Sequence, residues 1–322
     1  MSMAFMRHAL VGALLCASAL AHAAGFPERP IRLVVPFAPG GAVSSLALVL
    51  ANKMSTFLGQ PVVAESRPGA AGTIAANSVA KAPKDGYILL LGTSATQGSA
   101  KYMNKDLPYD PIEDFAPVGY IGNVTVGIFA SEKSAFLTLD EVMAAARARP
   151  GQLNFGTPGV GGASHLAAEL FKLRAKLNLM HVPYAGNVAQ MTDLVGGQTQ
   201  LGFTGVAAGL PYAKDGRIRL VAVAARDRLK SYPNVPALGE VIPGYDAPAW
   251  FGVVAPRGTP AEALERLEKA VQAALTDREM QALMEGQGID GDAMTAKQFG
   301  EKMKREMPLW EEAVRAAGVS AR

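Results

Sequence analysis

The chain has 322 residues, of which 49% are hydrophobic, and its formal net charge is +3. Basic and acidic residues are interspersed along it, which argues against a nucleic-acid-binding surface. Cys16 is the only cysteine, so a disulfide within the chain and a thiol nucleophile or cysteine metal ligand downstream of it are excluded.

The first residues have the pattern of a secretory leader. Arg7 and His8 precede an apolar run from Ala9 to Ala21, and Ala21-His22-Ala23 supplies the small residues of a cleavage site. The run is too short to span a bilayer, which needs about 20 residues. We therefore predict a cleaved signal peptide over residues 1–24 and export of the mature protein.

Beyond the leader, short apolar runs alternate with helical patterns, which predicts an α/β protein with mainly parallel strands. The predicted strands are Ile31–Pro36, Pro61–Glu65, Tyr87–Leu91, Thr125–Ala130, Leu153–Phe155, Met180–Pro183, Thr199–Phe203, Arg219–Ala224 and Trp250–Ala255. The predicted helices are Val43–Phe57, Thr73–Lys81, Leu137–Arg147, Ser164–Lys176, Val188–Gly196 and three segments between Pro260 and Ala317.

Two proline-rich segments, Lys105–Val118 and Pro233–Pro248, interrupt this alternation. Proline disfavours helix interiors and central strands, so we interpret both segments as connectors. The final helices have no strands of their own to cover, and we expect the chain to return and pack its tail on the first lobe. The prediction is two α/β lobes joined by a hinge of two chain crossings, with a cleft between them. Lobe 1 comprises residues 25–124 and 250–322, and lobe 2 comprises residues 125–249.

The stretch Asn154–Leu166 (NFGTPGVGGASHL) is the most unusual part of the sequence. It is not a phosphate-binding P-loop, because no Gly-Lys-Ser/Thr follows the glycines. As a dinucleotide fingerprint it has Ser164 where a third glycine is required. A hydrolase that uses Ser164 and His165 is an alternative, although adjacent residues rarely pair in this way and the chain has no Gly-x-Ser-x-Gly elbow.

A glycine-rich loop at a helix start exposes backbone N–H groups and the positive end of the helix dipole, which together bind anions. One such contact stabilises an anion by roughly 0.3–2 kcal/mol, whereas micromolar affinity requires about 8 kcal/mol. A second glycine loop follows the first predicted strand, in Arg32–Leu50. We therefore predict that the two loops close on one small anion from opposite lobes. The alternative is that the glycines serve only tight turns and close packing.

The two histidines that follow the leader, His165 and His181, are expected to be structural. Ser164 then caps or begins a helix, and His165 is satisfied beside the loop. No carboxylate spacing around either histidine indicates a metal site, and no cofactor is expected.

These residues closely resemble the Bug family, the exported solute receptors of tripartite tricarboxylate transport systems, over essentially the whole mature chain. The resemblance is carried by Pro36-Phe37-Ala38-Pro39-Gly40-Gly41, Arg67-Pro68-Gly69-Ala70, Asp85-Gly86-Tyr87, Leu107-Pro108-Tyr109-Asp110-Pro111, Ser164-His165-Leu166-Ala167, His181-Val182-Pro183-Tyr184 and Trp250-Phe251-Gly252. It implies a type II-like, two-lobed periplasmic binding protein that closes on a small carboxylate solute. It also implies delivery to an inner-membrane permease of one large and one small subunit. A monomer is the default expectation, because delivery needs an unobstructed cleft mouth.

Carried onto this chain, the resemblance implies ligand contacts from both lobes. In lobe 1 they are Phe37, Pro39, Gly40, Gly41, Ala42, Ser94 and Ala95. In lobe 2 they are Thr157, Gly161, Gly162, Ala163, Ser164, His165, Tyr184, Gly186 and Thr204.

Two positions depart from the family pattern. Many relatives have Thr-Asp where this chain has Val43-Ser44, and many have Asp where it has Thr204. The missing carboxylates argue against an amino-acid ligand and favour a mono- or dicarboxylate. A receptor that presents its solute to a membrane sensor kinase remains an alternative to transport.

Overall fold

The computed structural model describes residues 25–39, 42–136, 138–247, 249–290 and 293–319, with Ala42 described in its backbone alone. The predicted leader, Gly40 and Gly41 lie outside the described residues. The strands are β1 Ile31–Val35, β2 Val62–Ser66, β3 Ile88–Thr93, β4 Phe115–Val124, β5 Val126–Ser131, β6 Asn154–Thr157, β7 Met180–Pro183, β8 Leu201–Gly205, β9 Ile218–Val223, β10 Trp250–Pro256 and β11 Ile289–Asp290. The helices are α1 Ala42–Leu58, α2 Thr73–Ala80, α3 Ala100–Met103, α4 Leu139–Ala148, α5 Ala163–Ala175, α6 Asn187–Gly196, α7 Val206–Lys214, α8 Leu238–Val241, α9 Ala261–Leu275, α10 Arg278–Gly286 and α11 Ala296–Ala316.

The first sheet has the order β11-β4-β10-β3-β1-β2. Strand β1 is parallel to β2 and β3, and β10 is antiparallel to β3 and β4. Leu33 and Val35 of β1 pack with α1 and α9 on one face, and Val34 packs with α2 and α11 on the other. Both faces are covered, which is why β1 reads as a continuous apolar run.

The second sheet has the order β7-β6-β8-β5-β9. Strands β6, β7 and β8 are parallel, whereas β5 is antiparallel to both of its neighbours. Each sheet therefore contains one inner antiparallel strand, β10 in the first and β5 in the second. The two-unit α/β fold predicted from the sequence is confirmed.

The chain passes between the sheets at two adjacent points. Thr125 separates β4 from β5, and Ala249 directly precedes β10. The Val124 N–H donates a hydrogen bond of 2.7 Å to the Ala249 carbonyl, so the two crossings lie side by side. We propose the lobe boundaries at these crossings, with lobe 1 as residues 25–124 and 250–322 and lobe 2 as residues 125–249.

The prediction that Lys105–Val118 is wholly a connector is wrong, because β4 begins at Phe115 and contains Pro117. Strand β11 pairs only with Asn123 and Val124. The first part of β4 thus has a ladder partner on one side alone, where a missing N–H costs least. The second connector likewise contains a short helix, α8.

The last helix, α11, packs against both lobes rather than on lobe 1 alone as predicted. Phe299 and Met303 lie in the lobe 1 core, while Trp310 clusters with Leu166 of lobe 2. The Arg174 guanidinium in α5 also donates to both carboxylate oxygens of Glu312, at 2.8 and 2.6 Å. Helix α11 is therefore a bridge between the lobes.

Candidate functional site

Each sheet has one point at which the connections from two neighbouring parallel strands lead toward opposite edges of the sheet. In lobe 1 this point lies between β1 and β3, and in lobe 2 it lies between β6 and β8. Open α/β sheets bind ligands in the crevice outside the carboxyl ends of the strands at such a point. The topology thus predicts a ligand site at the loops that follow β1, β3, β6 and β8, where many of the residues predicted to contact the ligand lie.

Three helices of lobe 2, α5, α6 and α7, follow β6, β7 and β8 in that order, and each has a glycine N-cap. The N-caps of α5, α6 and α7 are Gly162, Gly186 and Gly205, and no side chain of the described residues caps any of them. Helices α4, α10 and α11 begin elsewhere, with Thr138, Asp277 and Thr295 as side-chain caps. At the start of α7 the Val206 N–H donates to the Thr125 carbonyl at 3.0 Å. The other first-turn N–H groups and the positive dipole ends of the three helices remain available for an anion.

These glycines also border open space. A Cβ atom added at Gly162, Gly186 or Gly205 would meet no atom of the described residues within 4 Å. A side chain at any of them would therefore extend into open space at the start of its helix. The absence of a side chain thus lets a ligand approach the backbone closely.

Residues 158–162, here called the glycine loop, connect β6 to α5. Gly159 has φ +134° and Gly161 has φ +75°, both in the region that favours glycine. The Thr157 hydroxyl donates to the Gly159 carbonyl at 2.6 Å. The Gly161 N–H donates to Nδ1 of His165 at 3.0 Å. Both ends of the loop are therefore held by side chains.

The two histidines lie beneath the glycine loop as a stacked pair. Their ring centroids are 4.0 Å apart with 17° between the planes, and Phe155 stacks on the other side of His181 at 5.0 Å. Burial, with the nearby His181 and Lys172, lowers the pKa of His165 to about 4, and burial with Lys172 also lowers the pKa of His181. Both rings are neutral near pH 7, and the expectation that they are structural agrees with this placement.

The lobes meet at the glycine loop. An added Cβ at Gly161 would lie 2.0 Å from the Cε of Met103, which belongs to α3 in lobe 1. Helix α3 directly follows a turn of π-helix, Ala95–Ser99, at the end of β3. The structure thus brings the predicted Ser94 and Ala95 segment to the same face of lobe 1 that the glycine loop contacts.

The remaining predicted residues of lobe 1 follow β1. Phe37 is half-buried and Pro39 is exposed. Gly40, Gly41 and the side chain of Ala42 lie outside the described residues. In the neighbouring loop Gly72 is close to both Pro36 and Thr96, since its added Cβ would lie 2.9 and 2.8 Å from them. The three loops of lobe 1 therefore pack against one another at the strand ends.

Two of the lobe 2 residues predicted to contact the ligand have hydroxyl groups that donate hydrogen bonds to other side chains of the protein. The Tyr184 hydroxyl donates to Asp193 at 2.9 Å, and burial together with this carboxylate raises the Tyr184 pKa to about 12. Thr204 is fully buried and donates to Oδ1 of Asn187 at 2.9 Å. Thr204 thereby orients Asn187, the first residue of α6.

Sequence reasoning missed the residues that support the site. Gln190 is fully buried, and its amide nitrogen donates to the Gly156 and Phe203 carbonyls at 2.9 and 3.0 Å. Strands β6 and β8 share only two residue pairs, so Gln190 holds them where they separate. Asn187 and Met103 were missed as well. The one signal for Gln190 was an uncharged polar residue within a predicted helix, which says nothing about what it bridges.

A separate cavity lies at the hinge, away from the glycine loop. It has a volume of about 500 Å³ and is lined by both chain crossings and by α11. Its buried carboxylate, Glu306, accepts from the Trp250 indole at 2.7 Å and pairs with Lys302 at 2.5 Å. Burial raises the Glu306 pKa. These partners satisfy the carboxylate within the protein.

The geometry does not support the alternative hydrolase. His165 Nδ1 accepts from the Gly161 N–H, and its Nε2 points toward Glu169 at 3.7 Å, so neither nitrogen is directed at Ser164. Ser164 is the second residue of α5, after Gly162 as N-cap and Ala163. Among the residues that the structure describes, no group of histidines and carboxylates is placed to hold a metal ion. No helix in those ranges is both long and apolar enough to cross a bilayer.

Two α/β lobes that meet at the glycine loop, with uncapped helix starts at the strand ends of lobe 2, define the class of two-lobed solute-binding proteins. Comparison with known proteins leads to the family. The model described as "Tripartite tricarboxylate transporter family receptor" matches residues 46–319. BugT of Bordetella pertussis is 34% identical over 295 residues, which cover 91% of this chain and 90% of BugT. The chain belongs to the tripartite tricarboxylate transporter receptor family.

Solved structures agree with this assignment. An R. palustris protein with adipate is 32% identical with a TM-score of 0.79, over 92% of this chain and 99% of that one. MatC from Rhodopseudomonas palustris with bound malate is 30% identical with a TM-score of 0.75, over 90% and 100%. The chain is accordingly a solute-binding receptor and not an enzyme.

Proposed function

We propose that the protein captures a small carboxylate between its two lobes and delivers it to a tripartite tricarboxylate-type permease of one large and one small membrane subunit. The observation that carries this proposal is the set of three glycine-capped helix starts at the end of the lobe 2 sheet. They favour an anion without supplying a cationic side chain. We propose that the receptor is exported with the predicted leader and acts in the periplasm as a monomer.

The proposed solute is an aliphatic or aromatic mono- or dicarboxylate rather than an amino acid. None of the residues predicted to contact the ligand carries a carboxylate that could hold an ammonium group. At one of the positions where relatives have Asp, the Thr204 hydroxyl is used by Asn187. The adipate and malate of the two similar structures belong to the proposed class.

Affinity would come from several weak contacts combined. A helix N-terminus contributes roughly 0.3–1 kcal/mol at an exposed site and up to about 2 when partly buried. Three such ends, loop N–H groups of lobe 1 and exclusion of water by the contact at Met103 together approach the roughly 8 kcal/mol of micromolar binding. We propose that the predicted residues after β1, β3, β6, β7 and β8 make these contacts.

The test is thermal melting of the mature, refolded protein with mono-, di- and tricarboxylates, including adipate and malate, and with amino acids and sugars as controls. A ligand at 100 times its dissociation constant stabilises the native state by about 2.7 kcal/mol. A rise of several degrees confined to one group of carboxylates is the expected result. A flat response to every carboxylate, in protein shown to be folded and free of ligand, would overturn the proposal.

A further inference from the structure

The stacked histidine pair controls the two ends of the glycine loop through separate hydrogen bonds. Because the Gly161 N–H donates to Nδ1 of His165, the proton of that ring lies on Nε2. The Thr157 hydroxyl gives its own proton to the Gly159 carbonyl, so at 2.7 Å it accepts from Nε2–H of His181. Both tautomers are therefore assigned by the loop that the rings support.

The histidine pair also packs against neighbouring side chains of lobe 2. His165, the third residue of α5, is 3% exposed, and its ring stacks on that of His181. Its Nε2 faces Glu169 at 3.7 Å, and Glu169 is in turn neutralised by Lys172 at 2.8 Å. The three stacked rings, with Phe155 as the third, join β6, β7 and α5 directly under the loop.

This arrangement decides which loop N–H groups remain for an anion. The Gly161 N–H is turned inward onto His165, so it is not offered to the cleft. Gly162 and the first residues of α5 follow with no side-chain cap among the described residues. The Gly161 amide is thus committed to the histidine, while the amides that follow it have no side-chain partner among the described residues.

We propose that His165 and His181 are positioning residues: they fix the glycine loop so that the N–H groups from Gly162 onward point at the ligand, and they do not contact it. The inference rests on the proposed function for its ligand and moves His165 from the contact set to the supporting set. Without the acceptor at Nδ1, the Gly161 amide is released, and the loop must be ordered again each time a solute binds.

The test compares two variants of His165 in the full mature protein. His165→Phe keeps a planar ring for stacking and removes the acceptor. His165→Asn places a carbonyl oxygen near the position of Nδ1. The first readout is amide hydrogen exchange at Gly161 in ligand-free protein, and the second is calorimetric affinity for the carboxylate that stabilises the wild type most in the melting panel.

We expect His165→Phe to reduce Gly161 protection by about tenfold relative to the rest of lobe 2 and to weaken binding by about tenfold. His165→Asn should restore most of both. Leu170→Ala is the control, since it removes a buried side chain of the same helix within the lobe 2 core and leaves the Gly161 bond in place. It should lower the melting temperature without a selective loss of protection at Gly161.

Unchanged Gly161 protection in His165→Phe would overturn the proposal, and so would a loss that Asn fails to restore or that Leu170→Ala reproduces. The exchange measurement needs no ligand. If the wild type binds no carboxylate, the proposed function fails, while exchange at Gly161 still decides whether the histidine positions the loop.

Discussion

Gly161→Ala separates the stability of lobe 2 from the closure of the two lobes. Gly161 has φ +75°, and its added Cβ would lie 2.0 Å from the terminal methyl of Met103. The backbone strain is internal to lobe 2 and is present whenever that lobe is folded. The overlap with Met103 exists only when the lobes lie as close together as they do in this structure.

The two effects have different sizes and different readouts. An alanine held in the left-handed region costs about 1–2 kcal/mol, which lowers the free energy of unfolding without changing affinity. Overpacking against another side chain costs typically about 1–3 kcal/mol, and the lower part of that range applies because Met103 is flexible. A destabilisation of about 1.4 kcal/mol that affects the closed state alone corresponds to tenfold weaker binding.

The assay combines denaturant unfolding with titration calorimetry on the best carboxylate of the melting panel. Gly151→Ala is the matched control, because Gly151 has φ +76° and its added Cβ would have only an ordinary contact, 3.4 Å from Asn178. It should lose similar stability and keep full affinity. Adding Met103→Ala to Gly161→Ala should remove most of the affinity loss, since it removes the overlapping methyl.

Affinity equal to wild type in Gly161→Ala, with stability reduced, would show that the loop does not meet Met103 in the loaded protein. A double variant that binds no better than Gly161→Ala would refute the overlap as the cause. Either result would remove the argument that water is excluded at this contact.

Three further outcomes are expected. Glu312→Gln weakens the partly exposed ion pair with Arg174 between α5 and α11, so ligand binding should weaken by a few fold, about 0.5–1 kcal/mol. Glu311→Gln, which changes an ion pair within α11 and leaves the pair between α5 and α11 in place, should bind as wild type in the same titration. Gln190→Ala removes two buried hydrogen bonds to strand carbonyls and should lower the free energy of unfolding by about 1–3 kcal/mol, measured in urea; an effect below 0.5 kcal/mol, roughly that of a surface change, would contradict the role given to it. The pKa of His165 in the folded protein is about 4, below its ordinary 6.5, so the unfolded chain binds more protons in that window. The stability that comes from the neutral ring is therefore fully present above about pH 6.5 and falls by about 3 kcal/mol by pH 4. The fall should be smaller in His165→Asn, and equal pH profiles for both proteins would refute the assignment.

Much of the architecture could be predicted from local pattern. The apolar run of β1 followed by a glycine turn, and the same order at β6, are enough to place a strand, a loop and a helix in sequence. Strand β4 could not be placed in this way, because Pro117 is typical of a connector. Pro117 is tolerated because β11 pairs with only the last residues of β4 and leaves the first part of that strand without a partner on one side. The length of a partner strand cannot be read from the sequence of β4 itself.

The roles of residues in the site could likewise be predicted only where they depend on the local sequence. The glycines that begin α5 and α6 were visible in the sequence, and so was the lack of a carboxylate at position 204, whereas α7 after Gly205 was not predicted. The stacking of His165 on His181, and the contact between Gly161 and Met103, join residues that are distant along the chain. Ring contacts and packing between the lobes produce no periodic pattern in the sequence, so local sequence analysis could not predict them.

The sequence by itself determined most of the alternation of strands and helices, the glycine starts of α5 and α6 and the lack of charge in the predicted site, because each depends on the properties of near neighbours. The tertiary structure decided the rest. It selected which strand ends face each other, turned the Gly161 amide inward to a histidine, and laid α11 across both lobes. These outcomes depend on strand order and on packing between distant segments, where an amphipathic pattern specifies that a face is buried but not what covers it.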